Sequence, residues 1–264
     1  MKTSAAVQTP ARYIGGKRNL ARRLVELIEA TPHRTYAEPF VGMGGVFLKR
    51  RSPAPAEVIN DISRDVVNLF RVVRRHRAAL EHELRWMIAG RDEFERQKRV
   101  DPTTLTDIEQ AARFLYLQRL SFGGKVVGRN YGVARDRPAM FNPARLIDQL
   151  AALHDRLARV TIERLPYADF IRRYDAPETL FYLDPPYFGC EGDYGPGVFS
   201  AADFEQLAEL LAGISGRFIL SINDAPEIRC AFHRFAIGTA DTCWTIGAGE
   251  AKRVTELIIT GPAR

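Results

Sequence analysis

Asp184-Pro185-Pro186-Tyr187 sets a carboxylate, a proline carbonyl and an aromatic ring in succession, directly after the apolar run 180–183. The exocyclic amine of a nucleobase is a poor nucleophile, because its lone pair is delocalised into the ring. A carboxylate accepting one N–H and a carbonyl accepting the other would hold both protons and aim that lone pair at an electrophile. Asp184 and the Pro185 carbonyl suit these two tasks, and Tyr187 offers a flat face on which a base could stack. The apolar run reads as a short strand buried on both faces, as in a parallel sheet. Two prolines cannot continue a central ladder, so the strand must end at Asp184. In open α/β sheets, ligands bind outside the carboxyl ends of the strands. A turn that merely closes a core strand would account for Asp184 and the prolines alone; the adjoining Tyr187 and the stretches below favour a site.

Two upstream stretches could complete it. Glu38-Pro-Phe-Val-Gly-Met-Gly-Gly-Val46 follows a predicted strand over 34–40 and contains Phe40 and Gly42. Glycines directly after a strand let the backbone approach a ligand and open a helix whose amides face it. The stretch does not match the dinucleotide pattern G-x-G-x-x-G. A second predicted strand, 57–62, contains Asn60-Asp61 near its end, where α/β nucleotide folds carry an acidic residue for ribose hydroxyls. Nearer the N-terminus, Arg12-Tyr-Ile-Gly-Gly-Lys17 is a two-glycine turn carrying a positive charge.

The elements needed to hold these stretches are readable in outline. The chain has 264 residues, 46% hydrophobic and 27% charged, enough for one large domain or a domain with an insertion. No run approaches the roughly 18 apolar residues of a membrane helix. The first ten residues lack a signal peptide's apolar core, and three cysteines without C-x-x-C spacing suit a reducing compartment. A cytoplasmic protein with no membrane partner is expected. The five histidines show no paired ligand spacing, so no metal is expected. Residues 64–159 are mainly helical in pattern and divide the strands of 1–63 from those of 160–264. This middle segment carries 19 Lys+Arg against 12 Asp+Glu, the remainder 19 against 20, so it holds the whole basic excess. That is the footprint of a protein that meets a polyanion. Within it, 121–142 breaks the helical pattern and interleaves glycines with Phe122, Lys125, Arg129, Asn130, Tyr131 and Arg135. Such a segment could follow phosphates, read base edges through Arg129 or Asn130, and wedge an aromatic into a base stack. A structureless loop of about 20 residues is unusual unless it has a function. The glycine-rich segment 188–198 is expected to move and close over a bound base.

Tyr13-Ile-Gly-Gly-Lys17, Glu38-Pro-Phe-Val-Gly-Met-Gly44, Asn60-Asp61 and Asp184-Pro-Pro-Tyr187, in this order and spacing, resemble the Dam-type DNA adenine-N6 methyltransferases over nearly the whole chain. The resemblance implies an α/β fold: a mostly parallel, doubly wound Rossmann-like sheet with a helical target-recognition insertion. It implies S-adenosylmethionine as methyl donor, no metal, and double-stranded DNA as substrate, with a target adenine flipped out of the duplex. Carried over by position, Tyr13 and Lys17 would flank the cofactor, Phe40 and Gly42 would line its glycine loop, and Asp61 would bind its ribose. Asp184 would stand between cofactor and target amine, and Asp169-Phe170 would meet the cofactor's adenine. Phe122, Lys125, Arg129, Asn130 and Arg135 are the expected DNA contacts. The enterobacterial Dam pattern has aromatic–Asn–Gly where this chain has Phe122-Gly123-Gly124, so base-reading positions do not transfer. A monomer or weak dimer is expected. Cytosine-N4 methylation would use the same amine geometry, though with Ser more often in place of Asp184. Methylation of a protein glutamine, usually with Asn there, and a DNA-binding protein with a dead site are further alternatives.

Overall fold

A computed structural model of the chain describes residues 7–17, 19–132, 138–195, 197–244 and 252–262. Seven strands form one sheet: β1 (Thr35–Glu38), β2 (Ala56–Asn60), β3 (Val160–Glu163), β4 (Thr179–Leu183), β5 (Arg217–Asn223), β6 (Ala236–Trp244) and β7 (Lys252–Gly261). Their order is β3-β2-β1-β4-β5-β7-β6. The first five run parallel, and β7 is antiparallel to both of its neighbours. The helices are α1 (Ala21–Ala30), α2 (Arg64–Arg85), α3 (Arg91–Arg99), α4 (Asp107–Leu120), α5 (Pro143–Leu157), α6 (Tyr167–Tyr174), α7 (Ala201–Ala212) and α8 (Pro226–Ala231).

All five residues of β4 are buried, and their alternation explains the two layers. Leu180 and Tyr182 join Tyr36, Ile59 and Ile219 under the apolar faces of α1, α2, α4 and α5. Phe181 and Leu183 point the other way, joining Ala37, Val58, Phe218 and Leu220 under α6, α7 and α8. A strand covered on both faces needs apolar residues at every position, hence the continuous run. The sheet is the mostly parallel, doubly wound Rossmann-like form expected. Helices α2 to α5 make up the crossover from β2 to β3.

Thr106 and Glu109 cap α4 reciprocally, and Ser200 and Asp203 do the same for α7. The interior also holds a buried ion cluster without a sequence signal. Glu57 of β2 accepts from Arg50 at 2.7 Å and from Arg156 of α5 at 2.5 and 2.9 Å. Each guanidinium also lies on a ring, Arg50 on Tyr36 and Arg156 on Phe47, at 3.7 and 3.9 Å from the centroids. This cluster fastens the last helix of the middle segment to the sheet.

Two expectations need correction. The glycine loop after β1 opens onto a single 3-10 turn, Phe47–Lys49, and not onto an α-helix. Gly44 and Gly45 are poor helix formers, and Pro53 and Pro55 come before β2 begins at Ala56, so no room remains for a regular helix. The stretch from 121 is also not structureless. A 3-10 turn, Phe122–Gly124, and a bridge between Ser121 and Tyr131 fold it into a short hairpin, closed by Phe122 N–H to Asn130 C=O at 2.9 Å. Arg135 and Arg137 lie outside the described residues.

Candidate active site

Because β1, β2, β4 and β5 run parallel, their carboxyl ends share one edge of the sheet. Glu38, Asn60-Asp61, Asp184 and Asn223 come to that edge from four strands. Strand β7 runs the opposite way, so its opening residues arrive there too, and Glu256 pairs with Asn223.

Asp184 leaves the end of β4 with its carboxylate 2.7 Å from the ammonium of Lys17. Lys17 also donates to the Tyr187 hydroxyl and lies 3.2 Å from Glu256. The same ammonium is 4.1 Å from the centroid of the Tyr187 ring. Burial pushes the Asp184 carboxyl up to about 6, against the pull of Lys17 and with a further push from Glu256. Burial, then Asp184 and Glu256, hold the Tyr187 phenol far above its ordinary value, so it stays neutral. The Asn223 side chain accepts from the Phe188 N–H at 2.9 Å and donates to its C=O at 3.0 Å. This amide clamp fixes the backbone immediately after Tyr187.

On the neighbouring strand ends, Asp61 caps the glycine loop. Its two oxygens accept from the amides of Gly42 and Ser63, each at 2.9 Å. Burial still pushes its carboxyl up to about 6. Gly42 has φ +49°, and a Cβ there would stand 3.1 Å from the Tyr13 ring. Tyr13 in turn faces Tyr194, with ring centroids 6.0 Å apart, and the Tyr194 hydroxyl donates to Ile14 C=O at 3.1 Å. Burial, then Asp184 and Asp61, raise the Tyr194 phenol above its ordinary value. Phe40 packs with Tyr167 and Phe199, centroids 5.6 and 6.0 Å away.

Asp184, Tyr187 and Lys17 thus come together, as do Tyr13, Gly42 and Asp61, with Pro185 buried beside the first group. Asp169 and Phe170 part company: Asp169 is exposed and 3.3 Å from Arg172, whereas Phe170 is fully buried against Tyr174. Glu256, Asn223 and Tyr194 are the neighbours that sequence reasoning did not single out. Asn223 had a signal, since it ends a buried strand; Tyr194 lay in the glycine-rich segment; Glu256 had none. Among the described residues, no group of three or more His, Cys, Asp or Glu could hold a metal ion.

At the hairpin, Phe122 and Val127 are 47% and 50% exposed, and Lys125 and Asn130 are also exposed. Arg129 instead folds back, donating to Gln118 at 3.2 Å and to the Lys125 carbonyl at 3.3 Å. The hairpin rests on the turn that carries Tyr13. Ile14 N–H donates to Gly124 C=O at 3.1 Å, and the Gln118 amide bridges Arg12 C=O and Gly124 C=O at 2.9 and 2.6 Å.

A parallel sheet with a reversed seventh strand, a glycine loop after β1, and carboxylates after β2 and β4 together define a Rossmann-like methyltransferase. The chain belongs to the D12 class of N6 adenine-specific DNA methyltransferases, whose family model matches residues 13–246. It is similar to the retron Ec67 DNA adenine methylase of Escherichia coli, at 26% identity over 98% of this chain and 93% of that one. It is 24% identical to the type II methyltransferase M1.LlaDCHI of Lactococcus lactis subsp. cremoris, over 94% of this chain and 93% of that one. With the DNA adenine methylase of Serratia marcescens it shares 26% identity over 67% of this chain and 68% of that one. The chain is therefore an adenine-N6 DNA methyltransferase by family, which favours adenine N6 over cytosine N4.

Proposed function

We propose that the enzyme moves the methyl group of S-adenosylmethionine to N6 of an adenine swung out of double-stranded DNA. Asp184 accepts one N–H of the amine, the Pro185 carbonyl accepts the other, and Tyr187 supports the base. The residues around Asp61 fit a nucleoside cofactor. Each Asp61 oxygen spends one lone pair on a backbone amide and keeps another for a ribose hydroxyl. The left-handed backbone at Gly42 keeps that position free of a side chain. When bound, S-adenosylmethionine supplies an electrophilic methyl group on a cationic sulfur. Asp184 needs no great basicity, because the amine becomes acidic only as the new bond forms; holding and electrostatics are its contribution. Swinging the base out costs roughly a few kcal/mol, and stacking on Tyr187 returns about 1–3 kcal/mol.

Residues 64–159 form the target-recognition insertion in this scheme, with Phe122, Lys125 and Asn130 at the hairpin nearest to DNA. A cytoplasmic enzyme working as a monomer or weak dimer fits these roles. No helix among the described residues is long and apolar enough to cross a membrane.

The observation that supports the assignment most is the placing of two carboxylates at one edge of the sheet, Asp61 on the Gly42 amide after β1 and Asp184 at the end of β4, with β1 pairing with both β2 and β4. Calorimetry with S-adenosylmethionine, paired with methyl transfer to plasmid DNA, tests it. Asp61→Ala should weaken cofactor binding by about tenfold or more, a loss of roughly 1.4 kcal/mol or more. Asp184→Ala should still bind cofactor but transfer nothing. Unchanged binding in the first, or wild-type turnover in the second, would overturn the assignment.

A further inference from the structure

The ammonium of Lys17 rests on a group the chemistry needs. It holds a carboxylate oxygen of Asp184 at 2.7 Å, an acceptor that the target amine must also use. The ammonium lies against Asp184 and donates to the Tyr187 hydroxyl, and a Glu256 oxygen stands 3.2 Å away as a second ion-pair partner. The side chains of Lys17 and Glu256 are only 2% and 4% exposed, so solvent screens this charge cluster little. An amine gains positive charge as it is methylated. A carboxylate neutralised by a buried ammonium would stabilise that charge poorly, whereas one lysine shared by two carboxylates leaves a net negative charge beside the amine.

We propose that Glu256 is a positioning residue that draws the Lys17 ammonium off Asp184 as the target amine arrives, freeing Asp184 to accept its N–H. Glu256 already touches the ammonium, so the exchange needs no movement of the backbone. It pairs across the ladder with Asn223, the residue that clamps Phe188, so one pair of strands carries both supports of the Asp184–Tyr187 segment. The proposal rests on the role given to Asp184 above.

The charged and titratable groups facing Asp184 are Lys17 ahead of α1, Glu38 of β1, Tyr182 of β4, Tyr187 and Tyr194 beyond β4, and Glu256 of β7. The three phenols are raised and stay neutral, and Glu38 is held up at about 8. Lys17 lowers the Asp184 carboxyl and Glu256 raises it. Without the charge of Glu256, Lys17 binds Asp184 alone and the Asp184 titration moves to lower pH.

The test uses Glu256→Gln and Glu256→Asp in the full chain, with Glu256→Gln also made in a Lys17→Met background. The readouts are kcat and KM for DNA against pH, and the carbon-13 NMR titration of the Asp184 carboxyl without cofactor. Glu256→Gln should lower kcat about tenfold while KM for DNA stays within about twofold. The acid limb and the NMR midpoint should both move to lower pH. In the Lys17→Met background the same change should cost little, because the lysine it acts through is gone. Glu256→Asp should fall between wild type and Gln, and alone carries the test if the Gln variant does not fold. A wild-type kcat, an unmoved Asp184 midpoint, or an equal loss in both backgrounds would overturn the proposal. Asp184→Ala separates the two ideas: if it is inactive while Glu256→Gln matches wild type, only the role of Glu256 fails; if it is active, the role of Asp184 fails first.

Discussion

Asp184 must be ionised to stabilise the positive charge that grows on the amine, and its burial works against ionisation. With its carboxyl raised to about 6 in the free enzyme, kcat/KM should be level above that pH and fall about tenfold per unit below it. A rate profile at DNA concentrations well below KM checks this, and a flat profile between pH 5 and 7 would contradict it. Glu38 shows the stability side of the same physics. Burial raises its carboxyl to about 8, offset in part by the Tyr36 hydroxyl bond at 2.7 Å. A folded-state value above the ordinary one favours the protonated form. The associated stability is complete below the ordinary value and is lost as pH rises through about 8. Glu38→Gln should therefore match wild type in urea unfolding near pH 5 and exceed it near pH 9, by of order a few kcal/mol. Equal midpoints at both pH values would show that Glu38 is not held in this way.

At the scale of elements, the ends of strands hold the site, and the buried cluster under Glu57 holds the strands to the middle segment. Arg156→Ala would leave Glu57 short of a partner in the interior, and breaking a buried pair in this way costs about 3–5 kcal/mol. Urea unfolding measures that directly, and a loss below about 1 kcal/mol would mean that the cluster is solvated. What could be read in advance follows from the same geometry. The run 180–183, the glycine loop and Asn60-Asp61 were legible because parallel strands buried on both faces are apolar until they stop, and the first polar residue marks the ligand edge. Glu256 was not, because β7 runs against its neighbours and brings its beginning to that edge. Nothing in Val254-Thr255-Glu256-Leu257 announces the reversal. The missing helix after Gly45 is a different case: the glycines mark the loop, and Pro53 and Pro55 cut the helix short. Arg129 reads from the sequence as a base contact beside Asn130, and spacing alone cannot show that it turns toward Gln118.

Over the whole molecule, the basic excess of the middle segment overstates the charge available to DNA. Arg74, Arg113 and Arg119 bind the carbonyls of Val160, Gln97 and Pro10 at 2.6, 2.7 and 2.6 Å, and Arg156 is buried. DNA affinity should still fall steeply with salt. Lys125→Ala should reduce the slope of log K against log salt by about 1. Loss of affinity without a change of slope would remove Lys125 from the phosphate contacts. The hairpin and the Tyr13 turn are joined through Gln118 and Gly124, which ties the proposed DNA contacts to the proposed cofactor contacts. The central claim is that Asp184 presents an adenine amine to a methyl donor. Its most direct measurement is mass spectrometry of nucleosides from DNA incubated with the enzyme and S-adenosylmethionine labelled in the methyl group. The label should appear in N6-methyladenine with the wild type and be absent with Asp184→Ala. Label in N4-methylcytosine, or in adenine at wild-type levels with Asp184→Ala, would contradict it.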